Sequence, residues 1–178
     1  MSCTLTRGRL KACKTQVGGI KTMYVCDHSL PTGLTYDADE QLTGGTFTVF
    51  QYDLPNGTAT FEQAIQVSRE NGTVYYEPTL TINLFALSKE DRKELQTMAR
   101  MNLLIFVEDY NGNIFMLGKD GGMDVNGGAV KTGQAKGDMS GYELTFFGEE
   151  KDQANFVEPY TTDPFDNAGF TVTVTAGA

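Results

Sequence analysis

The chain has 178 residues, 40% hydrophobic and 21% charged, a composition that excludes a disordered polypeptide and suits one folded domain. Its net charge of -9 is segregated, because the first 22 residues carry Arg7, Arg9, Lys11, Lys14 and Lys21 with no acid, leaving 9 bases against 23 acids, a net -14, in the remainder. An acidic body argues against sequence-specific DNA or RNA binding, which needs cations to displace phosphate counterions, but it is compatible with a wall along which DNA slides without sticking.

The 20 glycines, with few helix-periodic stretches between them, favour a mainly β fold whose turns need positive φ. Residues 1–19 are basic, glycine-punctuated and aperiodic, and predict an extended N-terminal arm. The Thr, Tyr and Val content of Ile20–Cys26 predicts a strand, and the polar Asp27–Gly45 stretch a long loop. Thr46–Tyr52 predicts a strand buried on both faces, closed by a turn at Asp53-Leu54-Pro55-Asn56-Gly57. The segment Ala59–Arg69 fits a helix or a strand on pattern alone. Asn71-Gly72, between Gln66-Val67-Ser68 and Val74-Tyr75-Tyr76, is a hairpin signal that decides for strands on both flanks. Leu80, Ile82 and Leu84 alternate with Thr81 and Asn83, which places one face of Thr79–Phe85 on a core.

A single helix is predicted over 88–101, because Ser88 can cap its start and Asp91 favours the positive end of the dipole. Its stripe of Leu95, Met98 and Ala99 is expected to pack on a sheet while Lys89, Arg92, Lys93 and Arg100 stay in water. Leu103–Glu108 and Asn113–Leu117 flank Asp109-Tyr110-Asn111-Gly112, a second hairpin. Gly118–Gly128, rich in glycine and acid, predicts loops. Tyr142, Leu144 and Phe146 then alternate in a strand, and after the polar linker Pro159–Asn167 the chain closes on Phe170, Val172 and Val174 alternating with threonines. That last strand is able to pair at home or on a neighbour.

The residues assemble no complete catalytic set, so no catalytic, cofactor-binding or metal residue is assigned. His28 is the only histidine, which excludes a two-histidine metal site and an H-E-x-x-H motif within one chain. A Cys-His pair would have to use Cys26 and His28, a thin basis for catalysis. Cys3, Cys13 and Cys26 are spaced too widely for zinc knuckles and read as reduced thiols. Asp109, Asn111 and Asn113 open like a calcium loop, but Ile114 stands where the sharp turn demands glycine. Lys119 is followed by Asp120 instead of Ser or Thr, so the tract is no phosphate loop. Glu149, Glu150 and Asp152 read as a solvated edge. No secretory signal is recognisable, and no apolar run approaches the ~20 residues that cross a membrane.

Val107-Glu108-Asp109-Tyr110-Asn111-Gly112-Asn113-Ile114-Phe115-Met116-Leu117-Gly118 and Ser140-Gly141-Tyr142-Glu143-Leu144-Thr145-Phe146-Phe147-Gly148-Glu149-Glu150 resemble small structural proteins of tailed bacteriophages infecting gut Bacteroidetes, the crAss-like group. Cys3-Thr4-Leu5-Thr6-Arg7-Gly8-Arg9-Leu10 and Gly18-Gly19-Ile20 resemble the same proteins, so the likeness spans most of residues 3–157 and leaves 160–178 unmatched. The resemblance implies a non-enzymatic virion protein with a tail-tube-like β-sandwich or barrel over 20–158, a flanking helix, the arm 1–19, and a C-terminal linker and strand over 159–178. It implies a homo-oligomeric ring, six-fold or twelve-fold, in the tail or head-to-tail connector. Such a ring touches adjacent tail or connector proteins, surrounds the DNA channel without a membrane, and is assembled in the host bacterial cytoplasm. The arm and the Gly118–Gly137 region, too polar and glycine-rich for a core, are expected to supply contacts between subunits or rings. The alternative is an exported β-sandwich adhesin or carbohydrate-binding module, with Tyr75, Tyr76 and Tyr110 as a platform.

Overall fold

The computed structural model describes residues 8–9, 14–38, 40–166 and 169–176. Most of the arm expected over 1–19, with Cys3 and Cys13, lies outside the described residues. The fold is mainly β with one short helix. In chain order the elements are β1 (Ile20–Asp27), β2 (Thr32–Tyr36), β3 (Leu42–Asp53), β4 (Ala59–Ser68), β5 (Thr73–Phe85), α1 (Lys89–Met98), β6 (Leu103–Asp109), β7 (Ile114–Leu117), β8 (Asp124–Lys131), β9 (Gly141–Phe147), β10 (Asn155–Val157) and β11 (Thr171–Ala176).

The larger sheet curls on itself. β1 pairs with β6, β6 with β7, β7 with β10, β10 with β3, and β3 returns to β1, so five strands close a circuit. β3 serves two neighbours along one edge, β2 at 42–46 and β1 at 50–53. Gly45, within the first of these stretches, has φ 143°, a backbone bend that glycine takes without a Cβ penalty. The smaller sheet is a four-stranded antiparallel layer in the order β4-β5-β9-β8.

Alternation divides β1 and β6 between two cores. Met23, Val25, Leu103, Ile105 and Val107 face the smaller sheet, where Leu80, Ile82, Tyr142 and Phe146 meet them and α1 adds Leu95 and Met98. Tyr24, Cys26, Leu104 and Phe106 face the other way, into a core shared with Leu42, Phe47, Val49, Ile114, Met116, Val157 and Phe165. Burial on both faces explains the uninterrupted apolar run of β6, and two layers sharing a central sheet hold all this in one body.

Both expected hairpins form, and Ala59–Ser68 is extended, as Asn71-Gly72 required. Ser88 caps α1 by accepting a hydrogen bond from Asp91 N at 2.9 Å, but the helix ends at Met98 instead of 101. Ala99 forms the C-cap, and Arg100 N donates to Thr97 O in a tight turn that ends the α-helical run. Three strands lie where the sequence predicted loops or nothing. The loop over 27–45 contains β2 and the start of β3, the glycine-rich 118–137 region contains β8, and β10 was not anticipated. β2 and β8 are edge strands whose side chains mostly remain in water, so they lack the apolar alternation by which buried strands are recognised. Gly128 in β8 lies so close to β9 that a Cβ would meet Glu143 O at 2.6 Å, which turns an apparent loop residue into a packing requirement. Gly141 on β9 is tighter still, its Cβ falling 2.0 Å from Leu84 O. Gly141→Ala is therefore expected to break the β5–β9 ladder, lowering stability by about 2–3 kcal/mol, measured by urea unfolding.

Candidate assembly interface

The smaller sheet ends in two open edges. Among the described residues β4, of 10 residues, and β8, of 8, each pair on one side only. Because the four strands are antiparallel throughout, β4 and β8 run in opposite directions. Unpaired edges of this kind are templates for further strands. The face turned away from the core follows from the register: Thr60, Thr81 and Thr145 lie in one row, Glu62, Thr79, Phe147 and Asp124 in the next. Asn83, Glu143 and Lys131 share this face, with Lys131 paired to Glu143. Counting Glu77 as well, the face carries four acids (Glu62, Glu77, Asp124, Glu143) against Lys131, a net -3.

The β4–β5 hairpin extends past this sheet. Pairing with β9 stops at Thr79↔Phe147, one residue after Pro78, which has no N–H to offer a ladder. One bridge, Tyr76↔Glu150, supports the next step, and beyond it the hairpin is two-stranded. Its core-facing side continues outward from Phe61 and Leu80 through Ile65 and Tyr76 to Val67 and Val74. Ile65, Val67 and Val74 are 55%, 63% and 51% exposed, so the apolar pattern runs about 13 Å past Pro78, the last buried position on this face.

The C-terminal segment lies against the larger sheet. β11 runs parallel to β3 from Thr171↔Thr46 to Ala176↔Gln51, so the last strand pairs at home. Ahead of it, Tyr160 Oη donates to Glu108 Oε1 at 2.6 Å. Glu108 is 1% exposed and also accepts Lys21 Nζ at 2.9 Å and Tyr24 Oη at 3.1 Å. Its partners hold their protons. The hydrogen bond it donates to Glu108 raises the Lys21 ammonium above its ordinary value, burial and then the Glu108 charge push the Tyr24 phenol up, and the hydrogen bond to Glu108 does the same for Tyr160.

The residues weighed for chemistry are placed apart. Cys26 is buried in the second core, and burial pushes its thiol up to about 12, the reverse of an activated nucleophile. His28 follows the strand in a turn, where Nε2 lies 3.3 Å from Lys119 O. Asp109 organises the β6–β7 hairpin, accepting Asn111 N and Asn113 N at 2.8 Å on one oxygen and their side-chain amides on the other. Burial alone would raise its carboxyl, but the hydrogen bonds from Asn113 and Asn111 outweigh that and leave it below the ordinary value. Tyr75 and Tyr76 are successive residues of β5 and stand on opposite faces, while Tyr110 belongs to the other hairpin, so the three form no common platform. Among the described residues no three His, Cys, Asp or Glu side chains converge to hold a metal ion.

Sequence reasoning misplaced Glu150. It is 6% exposed instead of solvated, because its backbone bridges Tyr76 and draws the side chain under the 118–120 turn. Burial raises its carboxyl above the ordinary value. A folded-state value above the unfolded one means stability that is full at acid pH and lost as pH rises through the folded value. Glu150→Gln is therefore expected to match the parent at acid pH and to be the more stable of the two at pH 8, measured as Tm against pH. No protein-family model matches the chain, and no curated protein matches it.

Proposed function

We propose that the chain is a structural subunit of a tailed-phage virion, forming a homo-oligomeric ring in the tail or head-to-tail connector. The carrying observation is the four-stranded sheet with two open, oppositely directed edges of similar length. Joining β8 of one copy to β4 of the next continues the same antiparallel ladder across the junction, and an even number of strands per copy keeps that true at every junction. Such a contact is head-to-tail, so repetition with a closing rotation gives a ring that leaves no free edge in this sheet. The sheet face turned from the core, polar and net acidic, then lines a channel through which DNA passes without adhering. The apolar end of the β4–β5 hairpin lies against a neighbouring copy.

The resemblance to crAss-like phage structural proteins supplies the biological setting, and neighbouring tail or connector proteins are the expected partners above and below. Mass photometry and negative-stain microscopy over a concentration series test this. The expected result is a discrete species at an integral multiple of the chain mass, with ring images around a central hole. Monomers at every concentration, or open aggregates of no fixed mass, would overturn it.

A further inference from the structure

Among the described residues, the ring contacts, the Glu108 hydrogen bond and the strand pairing that join the C-terminal segment to the body fall on β1, β3 and β6. Tyr160 meets Glu108, Phe165 stands edge-on to Tyr24 at 5.1 Å and to Phe106 at 5.4 Å, Phe170 stacks on Phe47 at 5.5 Å, and β11 pairs with β3. The rest of the segment is organised internally. The Asp166 carboxylate gathers Thr161 N and Thr162 N at 2.8 Å, Asp163 N at 3.1 Å and Thr161 Oγ1 at 2.7 Å, so residues 161–166 form a knob tied together by hydrogen bonds of its own.

Beneath this segment lies an aromatic trough. Phe47 and Phe106 are stacked at 5.5 Å, and Tyr24 and Val49 complete the floor, each 5% exposed or less with the segment in place. Lifting the segment would leave a contiguous apolar surface and an open edge on β3, which requires a cover. In the folded chain the trough packs Phe165 and Phe170 of this segment, and every copy carries the same trough. The hinge is short and exposed: Glu158 and Pro159 stand between Val157, 3% exposed at the end of β10, and Tyr160. Among the described residues β11 pairs with β3 alone.

These are the conditions for exchange of an identical element between copies: a self-ordered segment, a single binding surface, a short proline-containing hinge, and contacts that are the same from either donor. We propose that the trough of Tyr24, Phe47, Val49 and Phe106, with the β3 edge, is an exchange site that in an assembly receives residues 160–176 of a neighbouring copy. Close packing of copies supplies the effective concentration that shifts the segment from its own body to the next. The inference rests on the ring reading only in that copies must meet.

The test uses full chains carrying Cys3→Ser and Cys13→Ser, with the buried Cys26 left in place. One preparation carries Thr48→Cys and the other Thr173→Cys; these exposed positions are register partners on β3 and β11. The two are mixed, concentrated, oxidised and resolved on a denaturing gel, beside a second in-register mixture, Thr46→Cys with Thr171→Cys, and an out-of-register one, Thr46→Cys with Thr175→Cys. Exchange predicts a two-chain disulfide product from both in-register mixtures and none from the third. Rings without that product overturn the exchange and leave the ring standing. The product without rings supports the exchange and removes the ring, and monomers without product remove both.

Discussion

Glu108→Ala lowers the stability of the isolated chain by about 3 kcal/mol, a fall of roughly 6–12 °C in Tm for a domain of this size. The carboxylate is 1% exposed and holds three donors from three parts of the chain, Lys21, Tyr24 and Tyr160. Removing it leaves the Tyr24 hydroxyl buried with no strong acceptor, which carries most of the loss. Lys21, whose side chain is 51% exposed, turns to water and contributes little. Tyr160→Phe removes one donor and is expected to cost about 1 kcal/mol while loosening the C-terminal segment first. Denaturant unfolding followed by fluorescence and amide exchange measures both. A Glu108→Ala chain as stable as its parent would show that the buried cluster does not hold the fold.

Ile65→Asp with Val67→Asp has the opposite signature, leaving the isolated chain within about 0.5 kcal/mol of the parent while abolishing assembly. The two side chains are 55% and 63% exposed, so the folded monomer loses little when they become charged. In an assembly that covers the hairpin, each substitution gives up about 1.5–3 kcal/mol of apolar burial and adds a carboxylate to a dry contact. Two such losses at each contact weaken association by at least about a hundredfold, and the loss recurs at every junction around a ring. Mass photometry with parallel thermal melts distinguishes this from misfolding. Assembly unchanged in the double variant would place the hairpin outside the interface.

How much was legible in the sequence depended on what each element buries. β1, the distal part of β5, β6 and β9 alternate apolar and polar residues or run apolar throughout, because one or both faces meet a core. Asn71-Gly72 and Asn111-Gly112 marked their turns through glycines at φ 63° and 81°, a local requirement that needs no tertiary knowledge. β2 and β8 were not legible, since an edge strand gains its order from backbone ladders that no side-chain pattern records. Glu150 was misread for a related reason: its burial follows from a bridge to Tyr76, 74 residues earlier, which brings a stretch of acids under a loop. Glu108 lay unremarked inside a quoted run. Its signal is a glutamate that continues the apolar period of Leu104 and Phe106, opposite Thr22 and within diagonal reach of Tyr24 on β1.

The candidate interface was visible in the sequence only as an arm, long loops and a detachable last strand. The structure adds the direction of the open edges, which comes from pairing order, and the reach of the hairpin, which comes from the point where Pro78 ends the β9 ladder. Neither is a property of composition. The acidic bias of the chain, by contrast, was plain from charge counting and reappears as the net -3 face of the smaller sheet.

Amide hydrogen exchange on β4 and β8, compared between dilute chain and assembled material, tests the central claim most directly. Outward-facing amides along 59–68 and 124–131 are expected to exchange quickly in the dilute chain and to gain protection together on assembly, since each edge completes the other. Assembled material in which both edges still exchange as fast as in the free chain would contradict the account.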